Sequence, residues 1–225
     1  VVMDTAAGFT LAGKIIIALL IQLGGLGIMT FSMAILSMAG GSLSIRWRFT
    51  FVSMYSHGKK ITPRGLLIRT LVYTLVIESV IAVILFIRFS LDFSLPDALG
   101  HAVFHSISSF CNAGFSTFSE NLVPYRFDSI VILTICASIV SGGLGFIVLY
   151  EISARLVRKR TFSKNALSIH SRIVLVVTAV LIFGGSVVFF LLEKNYILSG
   201  SSPWQSFLVS LIQSSTCRTA GFNSV

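Results

Sequence analysis

Asn112-Ala113-Gly114-Phe115-Ser116 is followed, 107 residues later, by Thr219-Ala220-Gly221-Phe222-Asn223, and both stretches contain Ala-Gly-Phe. The same offset relates two further pairs of residues, Pro96 with Pro203 and Ser108 with Ser215. A repeat at a fixed offset indicates that one structural unit occurs more than once along the chain. The segments that make up this unit therefore predict the fold of the chain.

A short polar segment precedes each copy of the repeat, at 97–111 and 204–217. Each begins just after its matched proline, where helices tend to start. A helix of about 14 residues rises only about 21 Å, whereas the hydrocarbon layer of a bilayer is about 30 Å thick. Each segment also contains serine hydroxyls, which lipid tolerates poorly. We therefore predict two short helices that enter a membrane from outside and return to the same side.

The return limbs, 112–116 and 218–223, are predicted to form an ion-selectivity filter. Non-helical backbone at membrane depth must be buried in protein or line a water-filled cavity. The carboxyl end of each short helix carries a partial negative charge, which favours a cation, and glycine lets successive carbonyls point into one pore. The predicted filter residues are Asn112, Ala113, Gly114, Phe115, Thr219, Ala220, Gly221 and Phe222. A plain turn is the alternative for the two glycines, and both phenylalanines are interpreted as packing anchors behind the filter.

Composition indicates that most of the chain is surrounded by lipid. Of 225 residues, 55% are hydrophobic and 11% are charged, against about 25% charged residues in soluble domains. Four segments have the roughly 20 apolar residues that a spanning helix needs: 11–38, 66–89, 130–150 and 173–192. We predict an all-α integral membrane protein of repeated units, each unit being a span, a re-entrant pore helix with its filter loop, and a second span.

The formal charge of +9 is concentrated in two loops between predicted spans. Twelve of the 17 basic residues lie there: Arg46, Arg48, Lys59, Lys60, Arg64, Arg69, Arg155, Arg158, Lys159, Arg160, Lys164 and Arg172. An excess of Lys and Arg places a loop in the cytoplasm, so both loops are predicted to face anionic lipid headgroups there. This distribution disfavours nucleic-acid binding and leaves docking of a cytosolic protein open.

The filter segments are specific enough to indicate a family. Cys111-Asn112-Ala113-Gly114-Phe115 and Arg218-Thr219-Ala220-Gly221-Phe222-Asn223, together with Gly24-Gly25-Leu26-Gly27, resemble the Trk/Ktr/HKT superfamily of potassium transporters, and most of all the bacterial Ktr membrane subunit. The resemblance implies four units around one pore and K⁺ as the transported ion. The implied K⁺ ligands are the backbone carbonyls of Asn112, Ala113, Gly114, Thr219, Ala220 and Gly221. It further implies a multi-pass homodimer in the inner (cytoplasmic) membrane, a cytosolic nucleotide-binding regulatory ring, and no cofactor in this chain.

The resemblance also divides the chain. Residues 1–45 would hold the end of the first filter and the second span of unit 1, followed by a cytoplasmic basic loop at 46–65. Unit 2 would cover 66–154, with a span at 66–89, a pore helix at 97–111, a filter at 112–116 and a span at 129–154. After a second basic loop at 155–172, a partial unit 3 would cover 173–225, with a span at 173–193, a pore helix at 204–217 and a filter at 218–223.

Glu78 is the only acidic residue in the middle of a predicted span, and such residues are functional candidates. We predict that Glu78 pairs with Arg218 near mid-membrane and, with Asn223, supports the filter. The alternative for Glu78 is hydrogen bonding to neighbouring hydroxyls. The glycine clusters at 24–27 and 142–145 are interpreted as close helix contacts, because small residues let membrane helices approach.

Potassium uptake driven by the membrane potential is the leading functional hypothesis, with coupling to Na⁺ or H⁺ left open. We expect no enzymatic activity. One alternative is an intramembrane metalloenzyme built on His101 and His105, whose spacing of four residues can place two ligands on one metal. The sequence offers no third ligand beside them. The other alternative is a non-conducting membrane scaffold.

Overall fold

The computed structural model describes residues 5–26, 63–157 and 167–225, which form helices and loops without a β-strand. In chain order the helices are α1 (Thr5–Gly8), α2 (Leu11–Gly25), α3 (Pro63–Phe89), α4 (Leu95–Phe110), α5 (Ser129–Gly143), α6 (Phe146–Val157), α7 (Ile169–Glu193) and α8 (Pro203–Ser215). A 3₁₀ turn, Val123–Tyr125, precedes α5, and a π-helical turn, Thr216–Ala220, extends α8. The predicted all-α class is confirmed for this part of the chain.

Some predicted segments fall largely outside the described residues. These are the tail of the first filter before Thr5, the first span beyond Leu26, most of the basic loop at 46–65, and residues 158–166 of the basic loop at 155–172.

Helices α3 and α7 are long and apolar enough to cross a membrane. Ile68–Phe89 has a mean hydropathy of 2.4 and Ile169–Glu193 of 2.8. Many of their apolar side chains face outward, with Leu75 60% exposed and Val180 64% exposed. Soluble proteins rarely expose large contiguous apolar patches, so lipid is the surrounding that suits these faces. Helices α2 and α5 are apolar but shorter, with 15 residues each.

The predicted span at 129–154 is not one continuous helix. It is divided into α5 and α6, with Leu144 and Gly145 between them. Gly145 has a φ of +78°, a left-handed conformation that glycine adopts without steric cost. Helix α2 likewise ends at Gly25, inside the matching glycine cluster. Both clusters therefore coincide with helix ends.

Helices α4 and α8 are the two short helices that the repeat predicts. They occupy 95–110 and 203–215, close to the predicted 97–111 and 204–217. Each has a proline in its first turn, and Ser202 forms a capping box with Gln205 at the start of α8. Each packs along the long helix that precedes it, α4 along α3 and α8 along α7.

The carboxyl ends of the short helices reach the middle of their long neighbours. Ser106 Oγ donates to the backbone carbonyl of Glu78 at 2.6 Å, and Ser214 Oγ donates to that of Ile182 at 2.7 Å. Glu78 and Ile182 lie about halfway along α3 and α7. Because each short helix begins soon after the preceding long helix ends, it runs back beside that helix and stops at half its length.

Helix α5 connects the pair of α3 and α4 to the short helix α8. It contacts α3, α4 and α8, and fully buried side chains fill the space between these helices: Leu85, Ile132, Ile135, Leu208 and Ile212. This packing brings the ends of α4 and α8, and the limbs that follow them, to one place.

Candidate ion-selectivity filter

The two return limbs lie backbone to backbone. Gly114 and Gly221 have φ values of +71° and +76°, in the left-handed region that glycine favours. A Cβ atom on Gly114 would collide with the carbonyl oxygen of Ala220 and lie 2.7 Å from the carbonyl carbon of Gly221. A plain turn would explain the positive φ but not this contact between limbs 107 residues apart. Glycine at 114 is therefore required for both reasons.

Hydroxyl groups at the ends of the short helices hold the phenylalanine carbonyls. Ser108 Oγ donates to the carbonyl of Phe115 at 2.6 Å, and Thr216 Oγ1 donates to that of Phe222 at 2.9 Å. Phe222 is also 2% exposed, as a packing anchor should be. The two phenylalanine carbonyls thus point toward the ends of the short helices. These roles of Ser108 and Thr216 could not be read from the sequence, although Ser108 is one of the residues matched by the repeat.

Other carbonyls of the limbs are unengaged. Among the described residues, no hydrogen bond is donated to the backbone oxygens of Asn112, Ala113, Thr219, Ala220 or Gly221. The oxygen of Gly114 accepts only a long bond, 3.4 Å, from Asn121 Nδ2. Around Gly221, where a Cβ would project, there is open space within 4 Å. The limbs therefore present backbone oxygens that a dehydrated cation could use.

Asn112 and Thr219 connect the limbs through their side chains. They are equivalent in the repeat, and Thr219 Oγ1 donates to Asn112 Oδ1 at 3.0 Å. Asn112 has a φ of +55°, which asparagine tolerates better than most residues. These side chains brace one limb against the other.

Glycines of α2 and α5 receive the ends of the short helices. A Cβ on Gly25 would collide with Cys111, the C-cap residue of α4. A Cβ on Gly143 would collide with the guanidinium of Arg218, which is equivalent to Cys111 in the repeat. The interpretation of the glycine clusters as close contacts holds at both positions. In each case the end of a short helix lies against a glycine of an apolar helix from an earlier part of the chain.

The predicted pair of Glu78 with Arg218 is wrong. Glu78 is 7% exposed, and its Oε2 accepts a hydrogen bond from Gln22 Nε2 on α2 at 3.1 Å. Arg218 Nη1 donates instead to Thr178 Oγ1 on α7 at 3.0 Å. Both residues lie near mid-helix depth, as predicted, but they face different helices. Arg88 forms ion pairs with Asp92 and Asp128, away from Glu78 and Arg218.

His101 and His105 contact the return limb of their own unit. His105 is fully buried; its Nδ1 donates to the backbone carbonyl of His101 at 2.8 Å, and its Nε2 lies 2.9 Å from Ser116 Oγ. His101 Nδ1 lies 2.6 Å from Thr117 Oγ1. The two imidazoles are therefore engaged by hydroxyls at the end of the predicted filter segment, Ser116, and one residue beyond it, Thr117. Across the described ranges, no group of three His, Cys, Asp or Glu side chains converges on a metal position.

The loop after the first limb also touches the second limb. The backbone carbonyl of Asn223 accepts a hydrogen bond from the Leu122 amide at 2.9 Å, and Asn223 Oδ1 accepts one from the Val225 amide at 3.3 Å. Leu122 is fully buried in the core between the units. Asn223 therefore contacts the loop after the first limb through its backbone, and its role in supporting the filter stays a prediction. The contact with Leu122 could not be read from the sequence.

A polar cluster joins α3, α5 and the 3₁₀ turn at the opposite end from the predicted basic loops. Arg88 donates to Asp92 and to Asp128, and Tyr125 donates from its hydroxyl to Asp92 Oδ2 at 3.0 Å. Asp128 also caps α5 by accepting from two backbone amides. Burial, and next the neighbouring Asp92, raise the pKa of Tyr125. From the sequence alone, this end shows only charged residues of both signs.

Taken together, these features define a class: an all-helical membrane protein built from repeated units, each pairing a long apolar helix with a short helix and a glycine-bearing limb. The chain belongs to the TrkH family of cation transport proteins, whose family model matches residues 2–225. The family resemblance noted in the sequence is thereby confirmed.

Three relatives are similar along the whole chain. It is 35% identical over 226 residues to Ktr system potassium uptake protein B of Vibrio alginolyticus, covering 100% of this chain and 49% of that protein. It is 32% identical over 230 residues to the Ktr system potassium uptake protein B of Bacillus subtilis, covering 100% of this chain and 49% of that protein. It is 31% identical over 225 residues to the potassium/sodium uptake protein NtpJ of Enterococcus hirae, covering 99% and 48%. The chain spans about half the length of these relatives, and all three are named as uptake proteins, not enzymes.

Proposed function

We propose that this chain forms part of a potassium uptake pathway across the cytoplasmic membrane, with the limbs at 112–115 and 219–222 as two segments of its selectivity filter. The contact of Gly114 with Ala220 and Gly221 carries the proposal, because it holds two sets of unengaged carbonyls side by side. Backbone carbonyls in such an arrangement can replace the hydration shell of K⁺. Three of the relatives are named for potassium uptake.

The short helices supply the electrostatic part of this function. We place α4 and α8 as re-entrant helices whose carboxyl ends stop at half the depth of α3 and α7. A helix carboxyl end carries about half a negative charge, and two such ends would meet at the limbs. The membrane potential then supplies about 2.3 kcal/mol per elementary charge per 100 mV for inward movement of a cation.

Further parts of the proposal follow from the resemblance. They are a homodimer, a cytosolic nucleotide-binding ring on the side of the basic loops, anionic lipids at those loops, and coupling to Na⁺ or H⁺. We prefer K⁺ to Na⁺ because both limbs of this chain have the filter glycine, Gly114 and Gly221, that the resemblance to potassium transporters implies. One relative is nevertheless named for potassium/sodium uptake. The metalloenzyme alternative is disfavoured by the contacts of His101 and His105 with Thr117 and Ser116.

The decisive experiment measures K⁺ and Na⁺ flux by the full-length protein in liposomes with Gly221→Ser. Gly200→Ser is a matched control, because Gly200 also has a left-handed φ, +78°, and open space around it, but lies in the loop before α8. Both substitutions therefore impose a similar backbone strain. The proposal expects Gly221→Ser to change K⁺ conductance or selectivity at normal expression, and Gly200→Ser to leave both unchanged.

The same experiment can overturn the proposal. Wild-type protein that carries no K⁺ flux, or Gly221→Ser and Gly200→Ser variants with the same flux and selectivity, would show that the limb at 221 is not a filter segment. Gly114→Ser is a less informative variant, because its Cβ would displace the neighbouring limb as well as strain the backbone.

A further inference from the structure

The ends of the two short helices are connected to their long helices in different ways. Cys111 and Arg218 are equivalent in the repeat, and each is seated against a glycine of the preceding span. Arg218 is long enough to reach its own long helix directly, through Nη1 and Thr178 Oγ1 on α7. In unit 3, one side chain therefore connects the pore-helix end to mid-span.

Cys111 is too short to make the same connection. Its Sγ lies 3.8 Å from Gln22 Oε1 on α2, within range of a weak S–H hydrogen bond. Gln22 Nε2 in turn donates to Glu78 Oε2 on α3 at 3.1 Å. The amide of Gln22 thus fills the space between the end of α4 and the middle of α3. The end of α4 is therefore connected to the middle of α3 through Cys111, Gln22 and Glu78. The end of α8 is connected to α7 through Arg218 and Thr178.

Glu78 depends on this contact. The residue is 7% exposed, and its other oxygen, Oε1, is buried without a hydrogen-bond partner in the structure. A buried polar group without a hydrogen bond is costly, so the amide of Gln22 is the donor that keeps the carboxyl in place. The backbone of Glu78 is held as well, by Ser106 of α4. The side chain of Glu78 is thus held by α2 and its backbone carbonyl by α4.

We infer that Gln22 and Glu78 are positioning residues for the second filter limb and, through it, for discrimination between K⁺ and Na⁺. They fix Cys111, and Asn112 follows it directly as the first residue of the limb. Asn112 is also the residue that accepts the hydrogen bond from Thr219 of the third limb. A shift of Cys111 would thus move one limb relative to the other. This inference rests on the proposed function.

The test measures the K⁺ to Na⁺ permeability ratio of the full-length protein in liposomes. Gln22→Leu and Glu78→Leu should each lower the ratio by about threefold to tenfold, the range expected for loss of one hydrogen bond. Glu78→Gln should keep a ratio close to wild type, because its amide oxygen can still accept from Gln22. The exchanged pair, Gln22→Glu with Glu78→Gln, should also restore the ratio, since the donor and acceptor merely change sides.

Thr74→Val is the control, because Thr74 is also buried and lies one turn before Glu78 on α3. Equal losses in Thr74→Val and Gln22→Leu would reduce the role of Gln22 to general packing and overturn the inference. So would a normal ratio in both leucine variants, or a failure of the exchanged pair while Glu78→Gln is normal. If the leucine variants do not assemble, Gln22→Glu alone decides: it sets two carboxyl groups against each other and should lower the ratio, which the exchanged pair should restore. A normal ratio in Gln22→Glu would then overturn the inference. None of these outcomes alters the proposed function, which the Gly221→Ser flux decides separately.

Discussion

Thr219 donates a hydrogen bond to Asn112 across the junction of the two limbs, and the two residues hold equivalent positions 107 residues apart in the chain. A bond between equivalent positions means that neighbouring units differ in role: one supplies the donor and the other the acceptor. The pair therefore couples the geometry of one limb to that of the next.

Thr219→Val should lower K⁺ to Na⁺ selectivity in flux assays by about threefold, because one hydrogen bond between the limbs is lost. Asn112→Gly should have a similar effect, and combining the two changes should add little, since both remove the same bond. Asn112→Ala should be worse than Asn112→Gly, because alanine at a φ of +55° is strained by about 1 to 2 kcal/mol. Strict additivity of Thr219→Val and Asn112→Gly would argue against a functional bond.

Ser108→Ala should raise the KM for K⁺, because the carbonyl of Phe115 loses its donor and the limb can rotate. The neighbouring Ser109 gives a matched control: it is equally buried, but its hydroxyl bonds Ser138 of α5. Ser109→Ala should lower thermal stability in detergent, by about 1 to 3 kcal/mol for a buried group left unpaired, without raising the KM. A KM that rises equally in both variants would mean that Ser108 acts only through packing.

Much of this arrangement could be predicted from the sequence. The repeat identified α4, α8 and the glycines at 114 and 221, because short length and polar content are readable without a structure. The pairing of Glu78 could not be predicted in this way. Segment length gives the depth of a residue in a membrane, but not the helix that its side chain faces. The same limit applies to Ser108 and Thr216. Their partners are backbone carbonyls, which every residue has, so the sequence does not identify which ones they bind.

The break between α5 and α6 shows a different limit. The sequence of 129–154 is apolar enough for one span, and hydropathy does not report backbone dihedrals. The glycine cluster is the available signal, but it indicates close helix contacts and does not locate a helix break. In the structure Gly143 contacts Arg218, while Gly145 turns the chain. Neighbouring glycines in one cluster thus have separate tasks.

Ionisation of Tyr125 should lower the stability of the folded protein at alkaline pH. Its pKa is raised by burial and by Asp92, so the neutral phenol is favoured in the folded state. The stabilisation is present below the unfolded pKa of about 10 and is lost as the pH rises further, because the unfolded chain ionises first. Tyr125→Phe should therefore be less stable near pH 8 but decline less above pH 10 in thermal melts. Tyr196→Phe, at a 78% exposed residue, controls for loss of a surface phenol.

Gly24 and Gly25 should respond very differently to the same substitution. A Cβ on Gly25 would collide with Sγ and Cβ of Cys111, whereas one on Gly24 would meet no atom within 4 Å. Both residues end α2, where alanine is intrinsically favoured over glycine by about 1 kcal/mol. Gly24→Ala should therefore leave thermal stability in detergent unchanged or slightly raised, and Gly25→Ala should lower both stability and K⁺ flux. Adding Cys111→Gly should recover part of the stability of Gly25→Ala, because it removes the side-chain atoms that the new methyl group would strike. If Gly25→Ala behaved like Gly24→Ala, the end of α4 would not be seated on α2.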